Sequence, residues 1–104
     1  MKRVAFKMKL NPGCREEYRR RHGEAWPELL EKIRESGVSD YSIFLDEQTD
    51  TLFAVQKVSG ETGSQDIGGE EIVRKWWDYM ADIMEVNPDN SPVSIPLEEV
   101  FYLK

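Results

Sequence analysis

Residues 4–10 alternate, with Val4, Phe6, Met8 and Leu10 on one face and Ala5, Lys7 and Lys9 on the other, the period of a half-buried strand. Asn11-Pro12-Gly13 breaks that strand. From Cys14 the apolar spacing lengthens to three and four residues, through Tyr18, His22, Trp26, Leu29, Leu30 and Ile33, which predicts a helix. Proline in a helix interior loses a hydrogen bond, so a kink or restart is expected near residues 23–26, with Pro27 in the first turn of the renewed helix. Gly37 supplies the stop.

Alternation returns over residues 38–45 through Tyr41, Ile43 and Leu45. It returns again over residues 51–58, where Leu52, Ala54, Gln56 and Val58 oppose Phe53, Val55 and Lys57. The short polar stretch Asp46-Glu47-Gln48-Thr49-Asp50 between them reads as a hairpin connection, making these strands antiparallel neighbours. Residues 59–69 hold four glycines and one aliphatic side chain, the composition of a mobile surface loop. A second helix is expected from about Glu70 to Met84, with Val73, Trp76, Trp77, Met80, Ile83 and Met84 on a broad apolar sector. The turn-rich Asn87-Pro88-Asp89-Asn90-Ser91-Pro92 then leads to a last strand over residues 97–103.

The resulting order, β-α-β-β-α-β, predicts an α+β fold: a ferredoxin-like antiparallel sheet with both helices on one face. Apolar residues occupy both faces of that sheet, Phe44 and Phe53 opposite Tyr41 and Leu52, so a monomer would expose a hydrophobic surface. A second copy would cover it, and a two-fold homodimer is expected.

A length of 104 residues with 39% hydrophobic positions suits a single domain, residues 1–104. The net charge of −6 repels phosphate backbones and anionic lipid, which argues against nucleic acid and membrane surfaces as partners. No apolar run approaches the ~20 residues of a membrane span, and Met1-Lys2-Arg3 leads into a short, charged start unlike a signal peptide. A cytoplasmic protein is expected. The single cysteine, Cys14, excludes an internal disulfide, and with only one histidine, His22, there is no cluster to hold zinc. Neither a metal nor another cofactor is expected.

Tyr18 and His22 are four apart on one helix, which stacks their side chains on the same face and lets them converge on one ligand. The stripe continues to Trp26, and aromatic rings beside an imidazole suit a sugar-sized pocket with one titratable group. Trp76 and Trp77 are adjacent, about 100° apart around a helix, so they cannot point the same way. Their flat faces suit the C–H face of a pyranose and their indole N–H groups suit hydroxyls, although packing against the sheet explains one of them equally well. Arg19-Arg20-Arg21 follows Glu16 and Glu17 at the spacing of weak intrahelical ion pairs and reads as a solvated face. Glu70-Glu71 sits where acidic groups favour a helix start, and a capping role is expected.

Taken together, Glu17-Tyr18-Arg19-Arg20-Arg21-His22, Trp26-Pro27-Glu28-Leu29, Tyr41-Ser42-Ile43-Phe44-Leu45-Asp46, Leu52-Phe53-Ala54, Trp76-Trp77-Asp78-Tyr79-Met80 and Asn87-Pro88-Asp89-Asn90-Ser91-Pro92-Val93 closely resemble the L-rhamnose mutarotase family, in the same order over nearly the whole chain. The resemblance implies a dimeric ferredoxin-like α+β barrel that interconverts the α and β anomers of L-rhamnose without a cofactor. It implies that His22 is the proton donor and that Tyr18, Tyr41, Trp76 and Trp77 contact the sugar; all five are present. The chain departs from the family over residues 59–69, where its members carry a more helical, less glycine-rich stretch.

That chemistry suits the residues, since ring opening needs a proton delivered to the ring oxygen and one removed from the C1 hydroxyl, and a histidine with a pKa near 6.5 exchanges protons at neutral pH. Two other classes are weighed against it. A sugar-binding module would use the same aromatic pocket without turnover, and a cofactor-free monooxygenase would use a related barrel for unrelated chemistry.

Overall fold

The computed structural model describes residues 1–104. Its elements are strand β1 (Lys2–Lys9), helices α1 (Arg15–Gly23) and α2 (Pro27–Glu35), strands β2 (Val38–Asp46) and β3 (Thr51–Val58), a 3-10 turn (Ser64–Asp66), helix α3 (Glu71–Met80) and strand β4 (Ile95–Leu97). The strands form one antiparallel sheet in the order β2-β3-β1-β4.

The helical break falls where proline requires it. α1 ends at Gly23, Trp26 is in extended backbone, and Pro27 opens α2 at its first position, where a missing N–H costs nothing. Gly37 then turns the chain with φ +100, and Ser59 Oγ occupies the space where a Cβ would stand.

Alternation sets which face is buried. Phe6, Met8, Leu52, Ala54 and Val58 face inward at 5% exposure or less, and Phe6, Met8, Leu52 and Ala54 share one cluster with Tyr18, Leu29, Val73, Trp76, Trp77 and Met80 from the helices. Each large side chain so buried contributes about 1.5–3 kcal/mol. The helices therefore cover one face. The other face carries Phe44 opposite Phe53, with Ile95 and Leu97 on β4, all exposed.

Four expectations need correction. The stretch 59–69 is not wholly a surface loop: residues 59–62 are exposed, but Ser64 and Ile67 are buried, Asp66 accepts from the Gly63 N–H at 2.9 Å, and Arg74 donates to the Gly68 carbonyl at 2.8 Å. Few apolar side chains are needed because hydrogen bonds hold it. The second helix stops at Met80 instead of Met84, and the chain turns so that Met84 bridges Leu10; Ile83 and Met84 stay apolar because they remain in the core. The last strand covers only residues 95–97, since beyond Leu97 the chain leaves the β1 ladder and is tied by side chains, Arg3 to Glu99 at 3.2 Å and Arg3 over the Tyr102 ring. Glu71 lies in the first turn of α3 as expected of an acidic pair at a helix start, but Glu70, at the N-cap, makes no side-chain cap bond and pairs instead with Lys32 at 3.7 Å. No helix is long and apolar enough to cross a membrane.

Candidate functional site

A cavity of about 860 Å³ opens between the inner face of the sheet and the helices. Tyr18 and His22 reach it from α1, Tyr41 from β2, and Trp76 and Trp77 from α3, so all five residues singled out in the sequence line one space. Three separate elements supply them.

Local structure aims each one. On α1 the four-residue spacing stacks the Tyr18 and His22 rings, with centroids 4.2 Å apart and planes inclined by 28°. The His22 ring then meets Trp76 edge-on at 5.4 Å, and Trp26 packs edge-on against the same indole at 5.1 Å. Trp26 thus supports the wall from behind and does not line the cavity. Tyr41 sits in an irregularity of β2 between Ser39 and Ser42, where Asp40 takes a φ of +47. Such a bulge re-aims a side chain next to a site. Both tryptophans are 8% exposed; Trp77 turns away from Trp76 onto the glycine-rich segment, where a Cβ on Gly68 would come within 2.8 Å of its ring.

Electrostatics sort the titratable groups. His22 Nδ1 lies 3.2 Å from the Tyr18 carbonyl oxygen, which can only accept, so Nδ1 carries a hydrogen and Nε2 is the nitrogen left to titrate. Burial lowers the His22 pKa from its ordinary value, against a smaller pull upward from that carbonyl. Burial raises the phenol of Tyr18, with Tyr41 adding to the shift, and raises Tyr41 against the nearby Ser64 hydroxyl. Both tyrosines are neutral donors at neutral pH. The site therefore combines one proton-exchanging imidazole with two phenols and two indoles in a largely apolar enclosure.

The basic run is only partly the solvated face its spacing predicts. Arg19 and Arg20 are exposed and pair with Glu16, Glu17 and Glu24. The Arg21 side chain is 10% exposed: it donates to Glu17, to Asp82 and to the Tyr79 carbonyl at 2.7 Å, and its guanidinium lies over the Tyr79 ring. It fastens α1 to the turn after α3, a role that depends on contacts 58 and 61 residues away.

The sequence pattern also missed part of the wall. Ser64, Gln65 and Ile67 line the cavity, contributed by the segment read as loop. The one available signal was Gln56, an amide on an otherwise apolar inward face of β3.

The α+β fold thus places an aromatic, imidazole-bearing cavity between one face of its sheet and its helices. A family model described as L-rhamnose mutarotase matches residues 3–103. The L-rhamnose mutarotase of Formosa agariphila is 66% identical over 104 residues, with 100% of both chains covered. That of Bacteroides thetaiotaomicron is 66% identical over 103 residues, covering 99% of each. The crystal structure of the L-rhamnose mutarotase FA22100 from Formosa agariphila is similar to this one with a TM-score of 0.93 at 62% identity, covering 100% of both chains. The chain belongs to the L-rhamnose mutarotase family.

Proposed function

We propose that this protein interconverts the α and β anomers of L-rhamnose, with His22 as the acid that protonates the ring oxygen. The observation that carries the reading is the convergence of Tyr18, His22, Tyr41, Trp76 and Trp77 on one cavity, together with relatives named for this activity. Proton delivery to the ring oxygen, with the C1 hydroxyl proton passing to water and returned on reclosure, opens the hemiacetal to an aldehyde. Rotation about C1–C2 and reclosure then give the other anomer. Nε2 of His22 gives the proton and regains it on reclosure, while the Nδ1 hydrogen bond to the Tyr18 carbonyl keeps the ring oriented. The tyrosine phenols hold sugar hydroxyls, and the indoles face the apolar side of the pyranose and the C6 methyl. A methyl-for-hydroxymethyl preference of this kind is worth about 1–3 kcal/mol, so discrimination between aldoses is modest.

The reading includes a homodimer in which the outer sheet faces of two copies form an α+β barrel. Phe44 at 63% exposure against Phe53, with Ile95 and Leu97 alongside, supports it, as does the exposed run Val100 to Leu103.

Saturation-transfer NMR between the C1 protons of the two anomers tests the activity. Exchange accelerated in proportion to protein concentration is expected. Exchange at the spontaneous rate together with saturable L-rhamnose binding would instead make the protein a sugar-binding module.

A further inference from the structure

One wall of the cavity is built around a buried amide. Gln56 is 1% exposed and sits on the inward face of β3 among the apolar Leu52, Ala54 and Val58. Both ends of its amide engage Ser64: Nε2 donates to Ser64 Oγ at 2.7 Å, and Oε1 accepts from the Ser64 N–H at 2.8 Å. This clamp holds the 3-10 turn against the sheet and delivers the next residue, Gln65, to the cavity.

Gln65 is only half satisfied. Its Nε2 donates to Ser64 Oγ at 3.3 Å, while its Oε1 is buried and accepts no hydrogen bond. Buried acceptors are nearly always paired, so an orphan in a residue that lines a cavity marks a position where a donor is missing. Elsewhere in the cavity the two indole N–H groups only donate, the two phenols donate and accept, and the exposed carboxylates of Asp40 and Glu47 accept. A pyranose presents several hydroxyls, each able to donate, so a buried acceptor such as Gln65 Oε1 has a partner in it. The terminal amide torsion of glutamine is broad, so Oε1 can turn toward a sugar hydroxyl without disturbing the clamp.

We propose that Gln65 is a substrate-binding residue whose side-chain carbonyl accepts a hydrogen bond from a hydroxyl of the bound pyranose, and that Gln56, acting through Ser64, is the positioning residue that holds it there. The inference rests on the reading of this cavity as the L-rhamnose site.

The experiment measures anomer exchange by saturation-transfer NMR over a range of L-rhamnose concentrations for the wild type, Gln65→Leu and Gln56→Leu, with thermal melting to confirm folding. Gln65→Leu is expected to raise KM about 3- to 10-fold with kcat nearly unchanged, the loss of one neutral hydrogen bond made equally in ground and transition states. Gln56→Leu, if folded, raises KM in the same direction. Monodeoxy analogues of L-rhamnose supply a readout that a merely structural effect would not move: for the analogue lacking the contacted hydroxyl, wild type and Gln65→Leu have equal KM. An unchanged KM in Gln65→Leu, or a gap that persists for every analogue, overturns the Gln65 contact. A folded Gln56→Leu with wild-type KM overturns the positioning role. Should the wild type itself leave exchange at the spontaneous rate, the underlying reading fails, and calorimetric titration with L-rhamnose makes the same comparison on binding alone.

Discussion

The imidazole of His22 lies flat against the phenol of Tyr18, ring centroids 4.2 Å apart, and its Nδ1 faces the carbonyl oxygen of the same tyrosine at 3.2 Å. One residue thus supplies both the packing and the hydrogen bond that fix the ring. The consequence is a single titrating nitrogen, Nε2, in a partly buried site.

If that nitrogen carries the proton, His22→Ala slows protein-dependent anomer exchange by about 10²–10⁴-fold. Circular dichroism and melting should stay close to wild type, because the ring is half-buried and its neighbour Trp76 is also held by Trp26. Residual exchange near the wild-type rate would remove His22 from the mechanism.

The pH dependence follows from the direction of its shift. Burial depresses the His22 pKa, so the protonated donor becomes abundant only below the ordinary value near 6.5. After subtraction of the spontaneous rate, kcat/KM is expected to rise as the pH is lowered from 8 toward and below 6.5. A profile that instead falls over that range would show His22 working as the base.

Arg21 links α1 to the turn after α3, and its partners make the link sensitive to acid. The Glu17 carboxyl is held at about 2, chiefly by its hydrogen bond from Arg20 and then by that from Arg21. Asp82 is held below its ordinary value by Arg21. A carboxyl with a folded pKa below its unfolded value, about 4.3 for glutamate, contributes stability that is complete above the unfolded value and disappears as the pH falls through the folded one. Arg21→Met should therefore lower Tm at pH 7, by about 4–8 °C for each ~1 kcal/mol lost in a chain of this size. The gap from wild type should narrow near pH 2.5. An equal gap at both pH values would assign the contribution of Arg21 to packing alone.

The exposed pair Phe44 and Phe53 gives the dimer a direct check. Sedimentation of the wild type should return twice the 12.1 kDa chain mass, and Phe44→Glu should shift it toward one chain by placing charges in an apolar contact. A wild type that sediments as a monomer at high concentration would end the barrel model.

Gly68 is needed for closeness, since an added Cβ would meet the Trp77 ring at 2.8 Å. Gly68→Ala must displace either the wall segment or the indole. A changed tryptophan emission spectrum and a several-fold higher KM for L-rhamnose are expected, whereas an unaltered spectrum with wild-type KM would mean that the segment yields at no cost to the site.

Much of this protein was legible in the chain before folding. Strand and helix periods, the break before Pro27, the inward faces of β1 and β3, and the Tyr18–His22 stripe depend on covalent spacing and local backbone geometry, which sequence records directly. Tyr41, Trp76 and Trp77 became readable as partners of that stripe through family resemblance, because nothing local relates residues on separate elements. Tertiary structure alone decided the rest. The glycine-rich stretch became part of the cavity wall because Gln56 meets Ser64, Arg21 left the solvated face because Asp82 and the Tyr79 carbonyl lie beside it, and beyond α3, which ends at Met80, the chain runs on to pair Met84 with Leu10. Each depends on which distant atoms the packed core brings within hydrogen-bonding or contact distance, a property of register and layer geometry that periodicity along one chain does not encode.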